Sequence, residues 1–146
     1  GRQSMGKPQL KKDMPAIVAS HGTAYVATAS VAYLKDLKRK VKKAMAYNGP
    51  RYIQIDTPCP SGWSFASDQT LEVGRLGVNC GLIPLFEMEN GAVTKVRKIR
   101  KQNSVEDYLK AQGRFKHLFA GNGGTGELEQ LEQIAQKNIK KYGLMG

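Results

Sequence analysis

The chain has 146 residues, 40% of them hydrophobic, which is enough for one modest globular domain and too few for two domains with separate cores. No apolar run approaches the roughly 20 residues of a membrane-spanning helix, and the opening residues lack the apolar core of a secretory signal, so we expect a cytoplasmic protein without a membrane span. The formal charge of +11 raises nucleic acid, an anionic membrane surface or an acidic protein as partners, and charge alone does not choose among them.

The first predicted elements are a short helix and a short strand. Residues 1–12 are glycine-rich, polar and basic, show no periodicity, and are interpreted as a loop or a cut end. Asp13 is a suitable N-cap for a helix with Pro15 in its first turn, and this helix ends at His21-Gly22. The apolar run at residues 25–28 is typical of a strand.

A helix of about four turns follows, because apolar residues recur at helical spacing along one face: Leu34, Leu37, Val41, Ala44 and Met45. Its other faces concentrate positive charge: Lys35, Lys38, Arg39, Lys40, Lys42 and Lys43. Such basic faces, here and at residues 95–101, are usually solvated surfaces. They are also suited to steering an acidic protein partner.

The helix stops at Asn48-Gly49-Pro50, and residues 51–56 then alternate as a strand does. Strand, helix and strand in this order predict a βαβ unit within a parallel sheet. Ligands of such sheets gather at the carboxyl ends of the strands, and Cys59 lies just past one of these ends.

Two parallel strands are too few for an α/β sheet that needs helices on both faces. We therefore expect residues 1–146 to be a single partial domain, incomplete at its N-terminal side, with the βαβ core and the cysteine loop in residues 13–83. A second helix within this core is predicted to start at Ser67 and to end at Cys80-Gly81. Its two glycines, Gly74 and Gly77, indicate close packing against a neighbour.

A hairpin and helices are predicted for the remaining residues. Residues 84–120 contain a β-hairpin that turns at Asn90-Gly91 and a helix that begins with a capping box of Ser104 and Asp107. Residues 121–146 are interpreted as a flexible glycine-rich break followed by a terminal amphipathic helix.

No phosphate loop, zinc-protease motif, Cys-x-x-Cys pair or nucleophile elbow is present in the sequence. The informative segment is Thr57-Pro58-Cys59-Pro60, where two prolines hold a thiol in a rigid extended turn of a kind also found in iron–sulfur ligand runs. Because one cysteine cannot form a cluster site alone, these residues by themselves favour an ordinary packed thiol. Cys80 is interpreted as a packing thiol, and His21 and His117 receive no catalytic role.

A series of segments matches one enzyme family in both order and spacing: Gly6-Lys7-Pro8-Gln9, residues 11–17, His21-Gly22, residues 25–30, Gly49-Pro50, residues 58–63, residues 108–110 and residues 112–115. They resemble the later half of the beta subunits of pyruvate and related 2-oxoacid:ferredoxin oxidoreductases. The resemblance implies an α/β fold class, namely the C-terminal half of a thiamine diphosphate-binding fold with a parallel βαβ core, a hairpin and a helical tail.

In that family a cysteine of the Pro-Cys-Pro loop completes the ligands of a 4Fe–4S cluster, and Cys59 occupies that position. The resemblance implies a complete enzyme that oxidatively decarboxylates pyruvate or a related 2-oxoacid to the acyl-CoA and CO2, with electron transfer to ferredoxin. The family's other cluster cysteines and its Gly-Asp-Gly motif for thiamine diphosphate and magnesium do not occur in this sequence. The chain alone is therefore expected to be inactive and to bind no cofactor.

The partners that the resemblance implies are the missing N-terminal half of the subunit, the other oxidoreductase subunits and ferredoxin. A rival hypothesis is a small basic protein that binds nucleic acid through the helix at residues 35–43, which would explain the charge without missing parts. No aromatic residues interleave with that basic run, so nucleic acid is not the expected partner. Trp63 is expected to pack beside the Cys59 loop.

Overall fold

The protein is described here by a computed structural model that covers residues 11–120 and 125–146. Its sheet consists of strands β1 (Tyr25–Ser30), β2 (Arg51–Asp56), β3 (Phe86–Glu89) and β4 (Ala92–Val96), in the order β2-β1-β3-β4. β1 and β2 are parallel, whereas β3 runs antiparallel to both β1 and β4. The predicted α/β fold class is confirmed, with its parallel βαβ core, its hairpin and its helical tail.

The helices are α1 (Met14–Ser20), α2 (Leu34–Met45), α3 (Pro60–Trp63), α4 (Thr70–Asn79), α5 (Val105–Lys110) and α6 (Thr125–Tyr142). The caps predicted for α1 and α5 are confirmed: Asp13 accepts the N–H of Ala16 at 3.1 Å, and Ser104 accepts the N–H of Asp107 at 3.0 Å. Ser67 does not cap α4, because it begins a separate 3-10 turn ahead of Thr70.

The hairpin turns at Asn90 and Gly91, whose φ angles of 50° and 82° are those of the predicted two-residue turn. Of the predicted glycine-rich break, residues 121–124 lie outside the described residues. Thr125 and Gly126 belong to α6, so the helix begins earlier than predicted.

Helices cover both faces of the sheet. Neighbouring residues on a strand point to opposite faces, and on β3 these are Phe86 and Glu87. The Phe86 ring stacks on Tyr142 of α6 with 4.4 Å between ring centroids, whereas Glu87 accepts a hydrogen bond from Arg39 of α2 at 2.7 Å. The βαβ helix α2 therefore lies on one face, and the C-terminal end of α6 lies on the other.

The contact between α2 and the sheet contains a buried charge network. Glu87 is fully buried and accepts hydrogen bonds from Arg39 at 2.7 Å and from the Tyr25 hydroxyl at 2.9 Å. Lys43 lies 3.3 Å from Glu87 and 2.6 Å from Glu89. A carboxylate with several such donors avoids the large cost of an unpaired buried charge.

The prediction that the basic faces of α2 are solvated is wrong for Lys40, whose exposed fraction is 1%. Its ammonium donates to the Thr28 carbonyl at 2.8 Å and to Asp36 at 2.6 Å, so the strand and the helix satisfy the charge together. Burial nevertheless lowers the pKa of Lys40 from its ordinary value, although Asp36 opposes this change.

Part of the predicted apolar face of α2 remains exposed in this chain. Ala44 is buried against the sheet, whereas Leu34, Val41 and Met45 are exposed, Met45 to 71%. Among the described residues β2 pairs with β1 alone, so its outer edge carries no strand. An apolar strip of α2 is thus exposed, and no strand of the described residues covers the outer edge of β2.

The residues after α6 are docked onto the segment that follows β4. The Ile99 N–H donates to the Leu144 carbonyl at 2.8 Å, and the Lys98 ammonium donates to the carbonyls of Gly143 at 2.6 Å and Met145 at 3.0 Å. Leu144 and Ile99 are both buried. This C-terminal clasp fixes the end of α6 against the hairpin side of the sheet.

Candidate functional site

Cys59 lies just beyond the carboxyl end of β2, as predicted, between the buried Pro58 and the one-turn helix α3. Its backbone is extended, with φ −106° and ψ 103°, and its carbonyl accepts the N–H of Trp63 at 2.9 Å. Pro60 opens α3, where a missing N–H has no cost. The backbone is therefore held in place on both sides of Cys59.

The Cys59 thiol is exposed, and its surroundings favour the thiolate. The backbone N–H of Gly62 and the hydroxyl of Ser61, whose oxygen is 3.8 Å from Sγ, lower the pKa of the thiol below its ordinary value. A Cβ on Gly62 would lie only 3.2 Å from Sγ, so the glycine leaves the sulfur room beside that N–H. The thiolate is the form that binds metals and attacks electrophiles.

Cys80 has the opposite environment. It is fully buried at the C-terminal end of α4, and its thiol donates to the Gly77 carbonyl at 3.3 Å. Burial raises its pKa to about 11. Cys80 is thus the packing thiol that the sequence predicts, although it lies at the end of the helix and not on its face.

The segment after α5 packs against the cysteine loop. The Gly113 N–H donates to the Ser64 carbonyl at 3.0 Å, and the Arg114 guanidinium lies 3.8 Å from the centre of the Trp63 ring. Trp63 thus packs within the loop region, as expected. The contact of Arg114 with Trp63 was not predicted, although Arg114 lies in the segment 112–115 that carries the family resemblance.

Asp56, the last residue of β2, is a second polar group at this sheet edge that sequence reasoning did not single out. Its Oδ2 atom is buried without a hydrogen-bond partner among the described residues. Burial raises the pKa of this carboxyl, and Lys11, Ser30 and Arg114 oppose that change. Its position at a strand end was the available signal.

The structure does not bring the two histidines to this edge. His21 is the exposed residue that ends α1, and His117 is exposed in the 3-10 helix Gly113–Phe119. Within residues 11–120 and 125–146, no three His, Cys, Asp or Glu side chains are placed to hold a metal ion together.

In the described part of the chain, no helix is both long and apolar enough to cross a membrane. The sheet order, the parallel pair and the thiol at its carboxyl edge place the chain among α/β proteins that present a reactive group at strand ends.

Comparison with known proteins specifies the family. The chain is 50% identical over 144 residues to pyruvate synthase subunit PorB of Methanosarcina barkeri, covering 99% of this chain and 49% of that protein. It is 40% identical to PorB of Methanocaldococcus jannaschii, with 99% and 47% covered, and 41% identical to ketoisovalerate oxidoreductase subunit VorB of Pyrococcus furiosus, with 81% and 39% covered. No family model matches the chain.

The chain belongs to this family of 2-oxoacid oxidoreductase subunits, as the resemblance in the sequence predicts. It spans about half the length of the curated relatives that it matches.

Proposed function

We propose that this chain is part of a 2-oxoacid:ferredoxin oxidoreductase subunit and supplies Cys59 as one ligand of a 4Fe–4S cluster. The complete enzyme would oxidatively decarboxylate pyruvate or a related 2-oxoacid to the acyl-CoA and CO2, and would pass the electrons to ferredoxin. The observation that carries this proposal is the exposed Cys59 thiol, with its lowered pKa, on a rigid loop at the carboxyl edge of the parallel strands. The names of the relatives, pyruvate synthase and ketoisovalerate oxidoreductase subunits, support the substrate class.

The residues around Cys59 fit an iron–sulfur ligand. The Gly62 N–H stabilises negative charge on sulfur, and the extended loop exposes Sγ without a change of backbone. When bound, a 4Fe–4S cluster accepts and passes on electrons one at a time. Trp63, with Arg114 stacked on its ring, packs against the core cluster that includes Val73, and this contact anchors α3 next to Cys59.

The remaining parts of the site would come from a complementary portion of the subunit. The open edge of β2 and the exposed strip of Leu34, Val41 and Met45 are suited to being covered by that portion. Its residues would supply the other cluster ligands and the groups that hold thiamine diphosphate with magnesium. In this proposal the chain is a partial domain, works in the cytoplasm beside other oxidoreductase subunits, and is inactive alone.

The structure gives no support to nucleic-acid binding through α2. Arg39, Lys40 and Lys43 are engaged by Asp36, Glu87 and Glu89, so half of the basic residues of this helix are paired within the protein. Cations already paired in this way have little to gain from phosphate contacts. The oxidoreductase proposal is therefore preferred.

The test is a pair of substitutions, Cys59→Ser and Cys80→Ser, in this chain joined to the complementary portion of a relative such as the Methanosarcina barkeri subunit. Cys59→Ser should lower the iron content, the EPR signal of the reduced cluster and ferredoxin reduction. Cys80→Ser should leave all three nearly unchanged, because Cys80 is buried at the end of a helix. Full cluster occupancy in the Cys59→Ser protein, or the reverse pattern, would contradict the assignment.

A further inference from the structure

The hydroxyl of Ser61 contacts the sulfur of Cys59. Its Oγ atom lies 3.8 Å from Sγ, and among the described residues this sulfur is the only hydrogen-bond partner of the hydroxyl. A hydroxyl and a thiol can each donate to the other, but a thiolate or a metal-bound sulfur has no proton to donate. In those two forms of Cys59, the Ser61 hydroxyl is therefore the donor and the sulfur is the acceptor.

The backbone that carries Ser61 is held in place from two directions. Within the loop, the Trp63 N–H donates to the Cys59 carbonyl at 2.9 Å. From outside it, the Gly113 N–H donates to the Ser64 carbonyl at 3.0 Å, and a Cβ on Gly113 would lie only 2.7 Å from the Ser64 Cβ. The segment after α5 thus lies directly against this turn. A donor that is held in place before a ligand binds loses little entropy when the bond forms.

We infer that Ser61 is a positioning residue whose hydroxyl donates to the Cys59 sulfur and thereby raises the reduction potential of the cluster that this sulfur would hold. The inference rests on the proposed function, because it takes Cys59 as a cluster ligand. Reduction adds negative charge to a cluster and to its sulfur ligands, and a hydrogen bond to a more negative acceptor is stronger. The donor therefore stabilises the reduced form more than the oxidised form, which raises the potential.

The Gly62 N–H also favours negative charge on the Cys59 sulfur. It is a backbone group, so a change of side chain does not remove it. The Ser61 hydroxyl is a side-chain group, and one substitution can remove it while another retains it. Position 61 is thus the place in this loop where the residue type can set the potential without changing the ligand.

The experiment is a redox titration, monitored by EPR, of this chain joined to the complementary portion of the Methanosarcina barkeri subunit and loaded with its cluster. Ser61→Ala should make reduction about three- to tenfold less favourable, which lowers the midpoint potential by about 30 to 60 mV for a one-electron couple. Ser61→Thr retains the hydroxyl and should keep the parent potential. A merely structural role of Ser61 would lower cluster occupancy and leave the potential of the remaining clusters unchanged.

Ser67→Ala is the matched control. It removes the hydroxyl of an exposed serine that begins the 3-10 turn ahead of α4, and within the described part of the chain this hydroxyl has no hydrogen-bond partner. The potential of Ser67→Ala should equal that of the parent. An unchanged potential in Ser61→Ala, or an equal decrease in Ser61→Ala and Ser67→Ala, would overturn the inference.

A second measurement needs no cluster. The joined protein is prepared without iron, and the rate at which iodoacetamide alkylates Cys59 at about pH 7 is followed by mass spectrometry of the peptide that contains it. Because the thiolate is the reacting form, Ser61→Ala should slow this alkylation about two- to threefold, and Ser61→Thr should not. Failure of the parent protein to bind a cluster, together with slower alkylation of Ser61→Ala, would contradict the proposed function and retain the hydrogen bond. Equal alkylation rates in the parent and in Ser61→Ala would overturn the inference itself.

Discussion

Gly74 allows α4 to lie directly against the elements that carry the cysteine loop. A Cβ at this position would be 2.8 Å from the Ala32 Cβ, and 3.5 Å from both Pro58 Cγ and Ser30 Oγ. Ala32 is buried and has no side-chain torsion that could relieve the contact. Replacing Gly74 with alanine must therefore displace the backbone of α4 or of the 3-10 helix Val31–Tyr33.

Two opposing effects determine the size of the change. Alanine in a helix interior is favoured over glycine by about 1 kcal/mol, whereas overpacking of a core costs about 1–3 kcal/mol. The cost should be near the upper end here, because backbone and not a flexible side chain has to move. The expected net loss from Gly74→Ala is about 1–2 kcal/mol in the free energy of unfolding.

Gly126→Ala in α6 is the matched control, since a Cβ there would meet nothing within 4 Å. It should stabilise the protein by up to about 1 kcal/mol through helix propensity alone. The assay is urea unfolding followed by circular dichroism of this chain joined to the complementary portion of a relative, with all variants at one protein concentration and the m-values compared. If Gly74→Ala raised the urea midpoint as Gly126→Ala does, the close-packing argument would be refuted.

Three further predictions concern the same chain. The chain alone should self-associate or melt without cooperativity, because the edge of β2 and the α2 strip of Leu34, Val41 and Met45 are open; a monodisperse monomer with a sharp melt in sedimentation and calorimetry would contradict this. Titration with thiamine diphosphate and magnesium should show no saturable micromolar binding, because the family's motif for that cofactor is absent from the sequence. Burial raises the pKa of Glu87, but the hydrogen bonds from Arg39 and other donors outweigh it and hold the pKa at about 2. The contribution of Glu87 to the free energy of unfolding is therefore present in full above its ordinary pKa of 4.5 and is lost as the pH falls toward 2. The melting temperature of Glu87→Gln should lack this dependence on acid pH. An unchanged slope of melting temperature against pH would count against the network.

The elements that the sequence predicts correctly depend on local signals. The Asp13 cap, the Asn90-Gly91 turn and the alternation of residues 51–56 each involve a few neighbouring residues, and each has the predicted structure. The position of Cys59 at a strand end followed from the order of strand, helix and strand together with the right-handed rule for parallel sheets. Its role as a cluster ligand came from the family resemblance and stays a proposal.

The features that were predicted wrongly or not at all depend on contacts between residues that are distant in the sequence. Helical periodicity places Lys40 beside the apolar stripe, between Leu37 and Ala44, but it does not reveal that Asp36 and the Thr28 carbonyl would together satisfy a buried ammonium. The stacking of Arg114 on Trp63 likewise arises only when the cysteine loop and the segment after α5 meet. No window of neighbouring residues contains that information.

On the ribosome, β1, α2 and β2 emerge before the C-terminal clasp and can pair while the residues that follow them are still being synthesised. The C-terminal clasp cannot form at that stage, because Leu144 reaches the segment at Ile99 only after it has left the exit tunnel. Until then the apolar side chains that Leu144 covers stay accessible to chaperones and proteases. A nascent chain that stops a few residues before Leu144 would therefore keep its sheet but remain open at the hairpin side, which is the state that cellular quality control recognises and degrades.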